Sequence, residues 1–358
     1  MKRRTSTQQS PIPWFIAAFL CALPTPAVAC FWDKDTLAME KRRFPSAQEL
    51  ITGKFIRHSA SFYKWRIVDR RTKLETSPND LSLLDDLGVA LDKTGDHAGA
   101  LEIGRRALAL DEDRYESHAN LGTYLIHDGQ FAEGLKHIKR AIAINPDAHF
   151  GREIIQQHLV EYVLAQRQAQ GKRLPLRRSC LDQNPQVANN PYKGHAGRDY
   201  LQPSGKNLCL HLKPKDGFAS YTRSKGISQA DAVKGVLGMM RFSNHRHPIL
   251  LEALGDLLLG YGWRNKESKT DAKRLAARAY LAAALNVKDE PTAKAYKAKV
   301  ALALVTHRIG LKDLESQFQK ELSAGEKFFS RIEKNEKRWI LSGQDPEAAF
   351  DKKYNRER

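Results

Sequence analysis

The chain has 358 residues, 41% of them apolar, which is enough to bury the core of one large or two ordinary domains and excludes a disordered tail. Lys and Arg number 59 against 41 Asp and Glu, a net charge of +18 that points to anionic surroundings such as membrane headgroups or nucleic acid. Where the charge sits decides between these.

The first elements belong to targeting rather than to a fold. Lys2, Arg3 and Arg4 form a basic start, Trp14 to Leu23 an apolar run, and Ala27-Val28-Ala29 a small-residue cleavage site, the order of a secretory signal over residues 1–29. The apolar run is shorter than the roughly 20 residues a membrane-crossing helix needs. Cys30 follows the small residues directly, and this arrangement resembles the lipobox of bacterial lipoproteins, with Ala27 where that family usually has Leu. The resemblance implies acylation of Cys30 and, since Phe31 is not Asp, an outer-membrane destination. Plain cleavage before Cys30 is the alternative, and either way the protein is expected to be exported to the periplasm or outer membrane.

Residues 30–80 read as an N-terminal segment followed by two capping helices between Ala47 and Leu74. The strongest signal comes next, an internal repeat of 34 residues. Leu87-Gly88 recurs as Leu121-Gly122, Gly95 as Gly129, Leu101 as Leu135 and Ala107 as Ala141, giving units at 81–114 and 115–148. The pattern resembles the tetratricopeptide repeat (TPR), with Glu112 replacing the usual proline and Gly134 the usual alanine. The resemblance implies paired helices and a peptide-binding concave face. Counting from Leu81 puts Asp85, Asp92, Glu116, Asn120 and Thr123 on that face. It is acidic, and the repeats together hold twelve Asp and Glu against seven Lys and Arg, so the expected ligand is a basic or polar protein segment.

Residues 149–166 read as a solvating cap helix, because Gln156 stands where a third repeat would need glycine. Between 167 and 227 the apolar periodicity stops and Pro, Gly and Asn accumulate, the mark of an irregular connector. With twelve Lys and Arg against three acidic residues it carries half of the chain's excess charge. Two roles are open for it: folding over the acidic groove, or binding anionic lipid headgroups. Export argues against nucleic acid. Ser228 then caps a helix, Pro248 starts another, Leu254-Gly255 with Ala277, Leu281 and Ala284 hint at a further repeat, and 228–308 forms a second helical, TPR-like region. Residues 309–358 add a charged helix from Leu311 to Leu341, docked through Leu314, Phe318, Leu322, Phe328 and Ile332, and a tail.

The expected fold class is therefore all-α, a short TPR-type α-solenoid with capping helices joined by an irregular basic connector to a second helical region. No nucleotide loop, nucleophile elbow, zinc-protease helix or haem-attachment pair occurs in the sequence. No catalytic residue and no cofactor are assigned, and the expected role is a non-catalytic adaptor or scaffold of the cell envelope. The rival reading is an enzyme or metal-binding protein centred on His245 and His247, with His195, Cys209 and His211 of the connector as further ligands. Cys180 and Cys209 form a disulfide or remain two thiols; their spacing leaves both open.

Overall fold

The computed structural model describes residues 32–34, 43–177, 217–264, 269–304 and 309–354. Residues 1–29, expected as a signal, and Cys30, Cys180, His195, Cys209 and His211 lie outside the described residues, as does most of the basic connector. Among the described residues the fold is all-α, as composition and periodicity anticipate, with fourteen α-helices. They are α1 (Ala47–Thr52), α2 (Ala60–Thr76), α3 (Leu81–Lys93), α4 (His97–Leu110), α5 (Tyr115–His127), α6 (Phe131–Ile144), α7 (Arg152–Gln170), α8 (Phe218–Ser224), α9 (Gln229–Phe242), α10 (Pro248–Arg264), α11 (Lys269–Leu285), α12 (Glu290–Leu304), α13 (Leu311–Leu341) and α14 (Pro346–Tyr354). No helix among them is long and apolar enough to cross a membrane.

Local chemistry sets the helix ends. Ser46 and Glu49 form a capping box before α1, and Ser59, Asp80, Asp96 and Ser228 each accept a hydrogen bond from a backbone N–H of the first turn that follows. In both 34-residue units a 13-residue helix is followed by one of 14 residues. Gly95 and Gly129 make the turn between them, each at φ 89°, where a side chain would be strained. The departure at position 134 has a packing reason. A Cβ there would lie 2.7 Å from the Gly122 carbonyl oxygen, so α5 and α6 touch backbone to backbone.

Neighbouring helices pack in sequence from α2 to α7 and again from α9 to α13, which makes the fold solenoid-like. The break in periodicity at 167–227 is not a break in the core: one apolar cluster runs from Ile126 and Phe131 through α7, α9, α10, α11 and α12 to Phe318. The segment expected as a solvating cap is instead internal. Helix α7 lies against both α6 and α9, with Leu159, Val160 and Val163 fully buried. Gln156, which breaks the glycine pattern, is buried too and donates to Thr123 Oγ1 at 3.2 Å.

The connector leaves and returns at one place. The Leu176 and Arg177 amides donate to Glu252 at 2.8 and 3.2 Å, and the Phe218 amide donates to Asp256 at 3.1 Å. The two carboxylates lie one turn apart on α10. Lys299 of α12 sits between them at 2.8 and 3.1 Å, and the Tyr296 and Tyr280 hydroxyls donate to Glu252 and Asp256. Burial raises the Glu252 pKa against the pull of Lys299; burial alone would lower Lys299, but Asp256 and Glu252 outweigh it and hold the ammonium charged.

Helix α13 spans about 46 Å at 1.5 Å per residue and returns to the start of the chain, packing on α1 and α2. Leu314, Phe318 and Ile332 are buried along it.

Two substitutions test this architecture. A Cβ on Gly325 would sit 2.1 Å from the Thr52 carbonyl oxygen, so Gly325→Ala is expected to cost about 1–3 kcal/mol in denaturant unfolding. Gly310→Ala, with no atom nearer than 3.5 Å, serves as the neutral control. Lys299→Met strands two buried carboxylates and is expected to cost about 3–5 kcal/mol. A loss below about 1 kcal/mol, the scale of a surface pair, would contradict a buried network.

Candidate functional site

Helices α3 and α5 stand side by side and present the same repeat positions to one face. That face is occupied by residues 32–34 of the chain itself. The Trp32 amide donates to Asn120 Oδ1 at 2.8 Å, and Asn120 Nδ2 donates back to the Trp32 carbonyl at 3.0 Å. Two residues on, the Lys34 amide donates to Asp86 Oδ1 at 3.1 Å. Asp86 and Asn120 are 34 residues apart, so equivalent positions of the two units hold alternate residues of the segment. The Trp32 ring meets Tyr115 edge-on, 5.7 Å between centroids, at the edge of a small cluster with Ala119 and Ala141.

Charges close the site from the other side. Arg66 and Arg70 project from α2 four residues apart, hence from one face of it. Arg66 donates to Glu347 of α14 at 2.9 Å and to Asp33 at 3.4 Å; Arg70 donates to Asp86 at 2.9 Å and also to Glu347. The Lys34 ammonium reaches Glu347 at 3.2 Å. With Asp69 also paired to Arg70, four carboxylates thus face these three cations. A cavity of about 410 Å³ lies beside them, lined by Trp32, Lys34, Arg70, Ser82, Asp85 and Glu347.

The residues expected on the concave face divide among three settings. Asp85 and Asn120 meet at the segment, where Asn120 Nδ2 donates to Asp85 Oδ1 at 3.1 Å and Arg114 pairs with Asp85. Glu116 shares Arg114 at 3.3 Å. Thr123 turns inward to Gln156. Asp92 belongs to a cluster at the far ends of the helices: His97 Nδ1 lies 2.9 Å from one carboxylate oxygen and His127 Nδ1 2.7 Å from the other. At Asp85 and Asn120 the occupant is residues 32–34; the basic connector, whose folding over this face is one of its two open roles, lies mostly outside the described residues. Asp86, Tyr115 and Glu347 were missed. For Asp86 a signal existed, the repeat offset from Asn120.

His245 and His247 are both buried, and neither belongs to the group of three ligand-type side chains found among the described residues. His245 is buried edge-on against the Phe55 ring at 5.1 Å, and burial, with Arg57, Arg246 and Lys93 nearby, pushes its pKa well down. His247 Nδ1 accepts from the Ile249 amide at 3.3 Å and so serves the first turn of α10. Among the described residues the cluster with three ligand-type atoms within 4.8 Å of one another is Asp92, His97 and His127.

Burial raises Asp85 to about 6 from 3.8, against the pull of Arg114 and Asn120. A carboxyl whose folded pKa is raised holds its proton longer in the folded state, so its contribution is full below 3.8 and lost as pH rises through about 6. Asp85→Asn removes that slope. The difference in unfolding free energy, variant minus wild type, should therefore grow between those two values, as measured by denaturant titrations across the range; a flat difference would mean an unshifted carboxyl. No protein-family model matches this chain, and no curated protein is significantly similar to it.

Proposed function

We propose that the chain is a non-catalytic adaptor of the bacterial cell envelope, a tetratricopeptide-type scaffold whose concave face takes a short peptide segment. The observation that carries this reading is Asn120, which engages both the N–H and the C=O of Trp32. Holding a segment by its backbone supplies affinity with little regard for side chains, and neighbouring pockets then add preference. Residues 32–34 stand in for a partner, and a partner must displace them.

The contacts define what would compete. An aromatic residue meets Tyr115, an acidic one Arg66, and a basic one Glu347, in that order. A short tethered segment acts at an effective concentration in the millimolar range, so it occludes the groove against weak ligands and yields to a stronger or multivalent one. The secretory signal over 1–29 puts this competition outside the cytoplasm, and a lipid on Cys30 would hold the groove within a few residues of the membrane.

The test uses the chain's own segment. A labelled peptide of residues 30–36 is expected to bind protein lacking those residues and not the protein that retains them. Asn120→Ala in the truncated form should weaken binding roughly tenfold, the worth of two hydrogen bonds. If the truncated protein keeps its helical content yet ignores the peptide, the groove is a packing surface and the adaptor reading fails.

A further inference from the structure

We propose that Asp92, His97 and His127 form a binding site for a divalent transition-metal ion of the zinc class. The sequence brings the three together by repeat geometry. Asp92 lies in the last turn of α3, His97 opens α4 just beyond the Gly95 turn, and His127 closes α5 in the next unit. Each residue offers one ligand atom, the three lie within 4.8 Å of one another, and the two imidazole nitrogens each stand within 3 Å of a different Asp92 oxygen.

The donor set selects the ion. Two imidazole nitrogens with one carboxylate oxygen suit zinc and its neighbours, whereas calcium and magnesium require oxygen ligands throughout. Three protein ligands leave at least one coordination position for water or a ligand group, as in open rather than closed zinc sites. Access is on the His97 side: its side chain is 21% exposed, against 3% for those of Asp92 and His127.

The surroundings favour a cation as well. The C-terminal ends of α3 and α5, both at this cluster, carry negative partial charge, two ends against the one positive N-terminus of α4 that His97 opens. Asp96 and Asp128 add to the field that acts on His97. Binding replaces the two Asp92–imidazole hydrogen bonds with metal bonds: each ring presents its Nδ1 lone pair, keeps one proton on Nε2, and releases any further proton to solvent.

The experiment uses the full-length mature protein, stripped with a chelator and titrated with Co²⁺ followed by visible absorption, then with Zn²⁺ as competitor. One Co²⁺ per chain is expected, displaced by Zn²⁺. His97→Gln, at the exposed ligand, should weaken Co²⁺ binding at least tenfold while circular dichroism stays unchanged. Imidazole ¹⁵N signals of His97 and His127 in the unsubstituted protein should move on Zn²⁺ addition, which tests the site even if a variant folds poorly. The absence of stoichiometric binding, or binding that His97→Gln leaves intact while other histidines or cysteines respond, would overturn the assignment and leave the cluster a hydrogen-bonded helix junction.

Discussion

Glu347 lies between Arg66 and Arg70 with almost no access to water, and Arg66 is fully enclosed. Burying an unpaired guanidinium costs several kcal/mol, so the pair on α2 is tolerable only while carboxylates stand beside it. No single element supplies them all. Glu347 comes from the C-terminal helix α14, Asp33 from the N-terminal segment and Asp86 from the first repeat. Asp69 of α2 itself also pairs with Arg70, and these three carboxylates meet the rest of the charge, which ties the N-terminal segment, the first repeat and α14 to α2. The held segment at Asn120 is one consequence of that balance.

The same logic governs the other half of the molecule. Glu252 and Asp256 are buried among the apolar residues of α10, and Lys299 with the Tyr280 and Tyr296 hydroxyls balances them. Their remaining acceptor capacity is filled by the amides of Leu176, Arg177 and Phe218. In both places irregular chain is held by its backbone to a buried carboxylate or carboxamide. Single apolar anchors sit beside these contacts, Leu176 and Phe218 in the one place and Trp32 in the other, and isolated anchors of this kind leave no hydrophobic period in the sequence.

This contrast explains what could be read in advance. Helices whose apolar residues recur at three and four, such as 311–341, and caps such as Ser228 depend on neighbours within one turn, so their signal is local and survives without a structure. The 34-residue repeat was legible for the same reason. Helix α7 is legible as a helix, but its internal place is not, because α9, the partner that buries its outer face, arrives about sixty residues later and cannot be inferred from a local period. Counting from Leu81 along a single helix gives Asp85, where one residue is a rotation of about 100°. The offset from Asn120 compares like positions in two units and lands on Asp86, so the repeat, not the helix, was the better ruler. Asp92 lies on α3 as its periodicity implies, but the histidines that engage it come from across a turn and from the next unit.

Helices α3 and α5 each carry a residue of the segment-holding face and a residue of the histidine cluster: Asp86 with Asp92, and Asn120 with His127. The separations are six and seven residues, about 9 and 10 Å along the helix axes. Over so short a distance a helix behaves as a rigid rod, and the Gly122–Gly134 backbone contact leaves α5 no room to shift against α6. A rigid translation of α3 relative to α5 that opens the space between Asp86 and Asn120 therefore also changes the distance between Asp92 and His127. On the readings proposed above, a cation at the helix ends and a segment on the face would thus be linked through these two helices.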